Sequence, residues 1–148
     1  MTSAKRSGAW GFAQTDGMLW VPLGYFIGKY LVTNIEYGAF VDATGHRPLP
    51  RHWRGGTYRR EEAHEAVVGV SWHDALKYCE WVSHDAGRKI TLPTEAQLKK
   101  AACNRFADAW QWCLDAANGT CTIMRGNRRM RRQPEAGYPS VGFRVAAV

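Results

Sequence analysis

Six arginines crowd the last quarter of the sequence, Arg144 near its end and five in one segment. Arg125, Arg128, Arg129, Arg131 and Arg132 lie within RGNRRMRRQPEAGYP (125–139), with Met130 among them, Tyr138 close behind and Glu135 the single acid of the segment. Guanidinium groups meet phosphates, anionic glycans or acidic protein surfaces, and arginine and tyrosine are the side chains that most often carry interface energy. The segment from Asn127 to Ser140 is expected to be a surface loop bracketed by strands. Its candidate ligand-binding residues are Asn127, Arg128, Arg129, Met130, Arg131, Arg132 and Tyr138. A second long loop, HRPLPRHWRGGTYRREEAHE (46–65), adds Trp53 and Tyr58, a tryptophan flanked by Arg51 and Arg54 and therefore a candidate contact residue. A solvated basic loop is the competing reading of the same charges.

Residues for catalysis are harder to assemble. His73 and His84 share one expected helix but stand about 16 Å apart along it, too far to share a metal. His46, His52 and His64 occupy the 46–65 loop with Glu61, Glu62 and Glu65, where a metal or acid/base cluster stays open but solvated loop polarity is the favoured reading. Ser71 sits where a helix should begin, which suits a cap better than a nucleophile. Cys79, Cys103, Cys113 and Cys121 form no CxxC pair and read as small buried hydrophobes. No catalytic residue, metal or cofactor is implied.

These residues need a scaffold, and 148 residues at 45% hydrophobic content supply one ordinary domain, expected to span the whole chain, 1–148. No apolar run approaches the roughly 20 residues of a membrane-spanning helix, so no membrane insertion is expected. The first residues lack the apolar stretch of a secretory signal, which points to a cytoplasmic protein or to a virion component assembled in the cytosol. Thr33 with Glu36 writes a capping box for a helix ending at Gly45, Ser71 with Asp74 another for a helix ending at Gly87, and Thr94 with Gln97 a third. AVVGV (66–70) reads as a strand, Trp110, Trp112 and Leu114 alternate, and VGFRVAAV (141–148) reads as a terminal strand paired with the region around residues 19–30. Two or three helices among short strands give an α+β domain with a mainly antiparallel sheet.

Five phrases then line up in order: FIGKYLVTNIEYGAFVDATGHRP, VVGVSWHDALKYCEWVSHDAGRKITLPTEAQLKKAA, WQWCLD, MRG and VGFRVA. Together they resemble the domain of formylglycine-generating enzymes, the sulfatase-modifying factors, whose fold is of the C-type lectin kind. Two departures limit what the resemblance implies. In those enzymes the phrase beginning here at Arg125-Gly126 leads to a pair of cysteines that bind copper, whereas here it continues NRRMRRQPEAGYPS, without cysteine. The enzymes also carry, between the third helix and the WQWC phrase, a long insertion holding much of their calcium-binding and substrate-groove framework, reduced here to a handful of residues.

Reduced versions of this kind resemble the non-catalytic variable proteins of diversity-generating retroelements, which display a surface close to the final GFR strand. The resemblance therefore implies a pseudoenzyme: a ligand-binding or display protein, of a retroelement or a phage virion, whose partner is a protein or glycan on a target surface. Nucleic acid is the weaker partner, and homo-oligomerisation stays open. The alternatives are a formylglycine-generating-type oxidase or enzyme subunit with relocated cysteines, and a structural subunit or nucleic-acid-binding module using the basic loop.

Overall fold

Among the described residues, each of the three α-helices starts where the sequence supplies a reciprocal cap. In the computed structural model, which describes residues 20–22, 25–102 and 109–147, helix α1 (Asn34–Thr44) opens with Thr33 Oγ1 accepting from the Glu36 amide at 3.3 Å while Glu36 Oε1 accepts from the Thr33 amide at 2.9 Å. Ser71 and Asp74 do the same for α2 (Trp72–Ala86), and Thr94 and Gln97 for α3 (Glu95–Ala102). Such boxes satisfy amides that a helix start otherwise leaves unpaired. Gly45 and Gly87, both in the left-handed region, end the first two helices.

The strands among the described residues are β1 (Trp20–Pro22), β2 (Phe26–Gly28), β3 (Ile90–Thr91), β4 (Trp110–Ala117), β5 (Thr120–Arg125), β6 (Arg128–Arg132), β7 (Val141–Gly142) and β8 (Ala146–Ala147). They make two four-stranded sheets, ordered β1-β2-β8-β3 and β6-β5-β4-β7. Every pairing is antiparallel except β4 with β7. The α+β class with a mainly antiparallel sheet is as expected.

Two expected strands come out differently. VGFRVAAV divides into β7 and β8, one in each sheet. The link is still a ladder with the N-terminal segment, because the carbonyls of Phe143 and Val145 accept from the amides of Val32 and Gly28, each at 2.8 Å. The tail thus lies between β2 and β3 and ties both sheets together, as the pairing with the region around residues 19–30 required. AVVGV forms no strand: Ala66 makes a single bridge to Thr33, Val67 and Val70 are buried, and Gly69, at φ +77°, turns the backbone out of the extended region.

One face of α2 buries Ala75, Tyr78, Cys79 and Val82 against a core containing Phe40, Trp112 and Phe143. Tyr37 is at its centre, with ring centroids 5.2 Å from Phe40, 6.0 Å from Tyr78 and 6.4 Å from Phe143. A smaller cluster, Ile27, Leu98, Ala101, Cys113, Met124 and Ala146, lies where α3 contributes its apolar side. No helix among the described residues is long and apolar enough to cross a membrane.

Candidate functional site

The arginine segment is a strand where a loop was expected. β4 turns into β5 through Asn118 and Gly119, both at positive φ, as a two-residue I′ turn requires. β5 turns into β6 through Gly126 and Asn127, with Gly126 at φ +63°, the first central position, where a II′ turn takes glycine. Five residue pairs then follow in unbroken register, from Arg125 opposite Arg128 to Cys121 opposite Arg132. β6 carries no apolar alternation, so its sequence gives no strand signal; its register comes from the turn and from β5, which is buried from Cys121 to Met124. Only residues 133–140 remain loop.

Alternation divides the arginines between two faces. Arg128, Met130 and Arg132 share one, with the Arg128 guanidinium 5.9 Å from the Trp110 ring centroid and that of Arg132 5.9 Å from Tyr138. Tyr138 in turn packs on Trp112 and its hydroxyl accepts from the Gln133 amide. Arg129 and Arg131 occupy the other face, where Arg129 reaches Glu95, at the start of α3, at 3.4 Å. Glu95 also pairs with Lys99 and is the one carboxylate among the described residues within ion-pair distance of the hairpin. Asn127, Arg128, Arg129, Met130 and Arg131 are exposed; Arg132 and Tyr138 are half-buried.

Trp53 does not belong to this surface. It is 8% exposed, its indole Nε1 donates to Asn34 Oδ1 at 2.9 Å, and its ring packs on Tyr37. The expectation of a contact residue is corrected by that hydrogen bond: Asn34 Nδ2 also donates to the Glu62 carbonyl, so the 46–65 loop folds back onto α1 and takes its tryptophan inward. Tyr58 is half-buried over Trp53 and Gly38, where a β-carbon would stand 2.9 Å from the tyrosine ring. The two loops do approach one another, at Gly69. Gly137 packs directly on the Gly69 carbonyl, Gly69 donates to the Tyr138 carbonyl, and the Arg51 backbone lies on Gly69's other side.

The remaining reactive side chains are dispersed. His46 Nε2 lies 2.7 Å from Asp74 Oδ1. Cys79, Cys113 and Cys121 are buried free thiols, and burial pushes all three up from the ordinary thiol range. Cys103 lies outside the described residues. Cys121 belongs to the main core and Cys113 to the smaller cluster. A copper site like that of the catalytic enzymes needs converging thiolates, and these two lie in different clusters; among the described residues no three His, Cys, Asp or Glu side chains gather at a metal-binding distance. The described residues do not fit that ion.

Not every arginine of the last quarter is surface charge. Arg144 is 3% exposed; its Nε donates to Gln111 Oε1 at 2.7 Å and its Nη1 to the carbonyls of Gly28 and Lys29 at 2.9 and 2.6 Å. Burial pulls it down to about 10, which leaves it charged at neutral pH. The sequence signal is its position, between Phe143 and Val145 within an apolar run.

Comparison with known proteins now decides the scaffold. The model of the sulfatase-modifying factor enzyme 1-like domain matches residues 17–115. The chain belongs to this family. An uncharacterized protein of Bacillus subtilis (strain 168), YfmG, is 31% identical over 114 residues, covering 70% of this chain and 22% of that protein, so the chain spans about a fifth of its curated relative. The structure of PvdO from Pseudomonas aeruginosa superposes with a TM-score of 0.68 at 17% identity, over 83% of this chain and 80% of that one, and shows the same fold. The family match ends within β4; the arginine hairpin lies beyond it.

Proposed function

We propose that the chain is a non-catalytic ligand-binding or display module, presenting the β5–β6 hairpin on a sulfatase-modifying-factor scaffold. The observation that carries this reading is a hairpin with five arginines and one carboxylate at ion-pair distance among the described residues. Exposed side chains of this kind contribute little to folding and are free to meet a partner. Trp110 and Tyr138 hold the Arg128 and Arg132 guanidiniums over their rings, which reduces the entropy lost on binding. A protein or glycan surface bearing acidic groups is the partner, and a virion or a retroelement display system is the setting the architecture suits. The buried, separated thiols of Cys113 and Cys121 argue against the relocated-cysteine oxidase.

Replacement of Arg128, Arg129, Arg131 and Arg132 by Ala tests the reading. Ligands found by screening the chain against a glycan array and a displayed-peptide library should bind the quadruple variant at least tenfold more weakly, about 1.4 kcal/mol, with the melting temperature nearly unchanged. Ligands held equally well by parent and variant would move the functional face elsewhere. In parallel, a cysteine peptide incubated with the chain and copper should show no oxidation; turnover abolished by Cys113→Ser or Cys121→Ser would establish the oxidase.

A further inference from the structure

We propose that β6 takes up an extended acidic peptide as an added strand, an inference that rests on the ligand-binding reading of the hairpin. β6 is the outermost strand of its sheet: β5 runs along one side, and no described strand pairs with the other. A two-residue turn makes its flanking pair, Arg125 and Arg128, a hydrogen-bonded one. Alternation then directs the backbone groups of Arg128, Met130 and Arg132 to β5 and those of Arg129 and Arg131 outward. The Arg131 carbonyl accordingly accepts from the neighbouring Arg132 Nη1 at 2.8 Å. Two amides and two carbonyls thus face outward along the open edge.

The side chains select what can pair there. Arg128 and Arg132 stand on one face of the strand, Arg129 and Arg131 on the other, with the open ladder between them. A polyanion laid on one face reaches one pair of arginines and leaves the ladder unused. An extended peptide in the plane of the sheet uses both, because its own side chains alternate up and down, and carboxylates on either face meet guanidiniums across the pair. A second copy of this strand would set arginine against arginine. The charges that discourage edge-to-edge pairing of copies therefore favour an acidic strand.

Fluorescence anisotropy with a labelled decapeptide of the repeat Glu-Glu-Thr-Thr, which places carboxylates on both faces of an extended strand, tests the proposal. The comparison probes are the same peptide N-methylated at alternate amides, in both registers, and an oligothymidylate of matching charge. The parent peptide should bind, and in one register N-methylation should weaken it at least about tenfold with charge unchanged. Arg131→Pro, which removes an outward amide while sparing the ladder to β5, should bind more weakly than Arg131→Ala at equal melting temperature. Equal affinity for methylated and unmethylated peptides would overturn strand addition and leave the ligand-binding reading standing. Tighter binding of the oligothymidylate, with a steep fall in salt, would overturn it in favour of nucleic acid. Peptide binding unchanged in the quadruple alanine variant would overturn both readings.

Discussion

Arg144 and the arginines of β6 are the same side chain in two incompatible situations. Arg144 lies between the sheets, donating to Gln111 of β4 and to the carbonyls of Gly28 and Lys29 at the end of β2. The β6 arginines lie at the rim, where two rest on aromatic rings and one pairs with Glu95. A buried guanidinium is tolerable only while its donors are satisfied, and its removal then leaves acceptors without partners. A rim guanidinium keeps its water and can be removed at little expense to the fold. Depth, not residue type, separates an arginine that holds the structure from one available to a partner.

The largest effects should come from the buried side of that comparison. Truncation after Ser140 removes Phe143 and Val145 with Val141, each worth about 1.5–3 kcal/mol by transfer alone, a total that rivals a domain's whole stability. The truncated chain should lose its cooperative melting transition. The sharper test is Arg144→Met, which keeps the stem and deletes the donors: Gln111 Oε1 and two carbonyls lose their partner, and urea denaturation should show a loss of about 3 kcal/mol or more. A loss under about 1 kcal/mol would mean that water replaces the guanidinium, and the contrast with β6 would fail.

Trp53 follows, and it tests whether the 46–65 loop takes any part in binding. Trp53→Ala should cost about 3–5 kcal/mol, since it empties a core position and strands Asn34 Oδ1. The same variant should bind any hairpin ligand like the parent at temperatures where it stays folded. A Trp53→Ala protein of unchanged melting temperature and lost binding would return Trp53 to the contact surface.

How far the sequence could be read follows from where the information resides. The capping boxes at Thr33, Ser71 and Thr94 and the left-handed glycines 45 and 87 are local chemistry, visible within four residues, and they placed the helices. The fate of VGFRVAAV depends on two partners about 80 residues apart in the chain, Val32 and Gly28 at one end and Trp110 at the other, so its division between sheets is not written in its own pattern. β6 was hidden because its register is imposed by β5 and a glycine turn. Trp53 was misplaced because arginines flank it in sequence, while the hydrogen bond that buries it comes from Asn34. The exposed arginines were legible because charge on a strand edge needs no tertiary partner to stay in water.

On the rim, single substitutions should barely register in stability. Arg128→Ala forfeits a cation–π contact with Trp110 worth about 0.5–1 kcal/mol at an exposed site, while Arg125→Ala relieves the like-charge pair with Arg128 and should be neutral or slightly stabilising. Melting temperatures for the two variants should therefore fall on opposite sides of the parent or within error of it. A large loss from either would make the hairpin a structural element.

Between these depths lies Glu36, and it should give the smallest effect. Burial raises its pKa from the ordinary carboxylate value, against the opposing hydrogen bonds from Thr33 and the charge of His64. A carboxyl that holds its proton more firmly in the folded chain than in the unfolded one makes the native state the better proton binder just above the ordinary value, so its contribution to stability declines as pH rises through that window. Glu36→Gln keeps an oxygen to accept from the Thr33 amide and removes the titration. The melting temperature of the parent, relative to Glu36→Gln, should accordingly be highest near about pH 4 and fall toward neutrality, levelling once the folded carboxyl has ionised. A difference that instead grows with pH would show the Thr33 hydrogen bonds outweighing burial, and would align Glu36 with the rim charges rather than with Arg144.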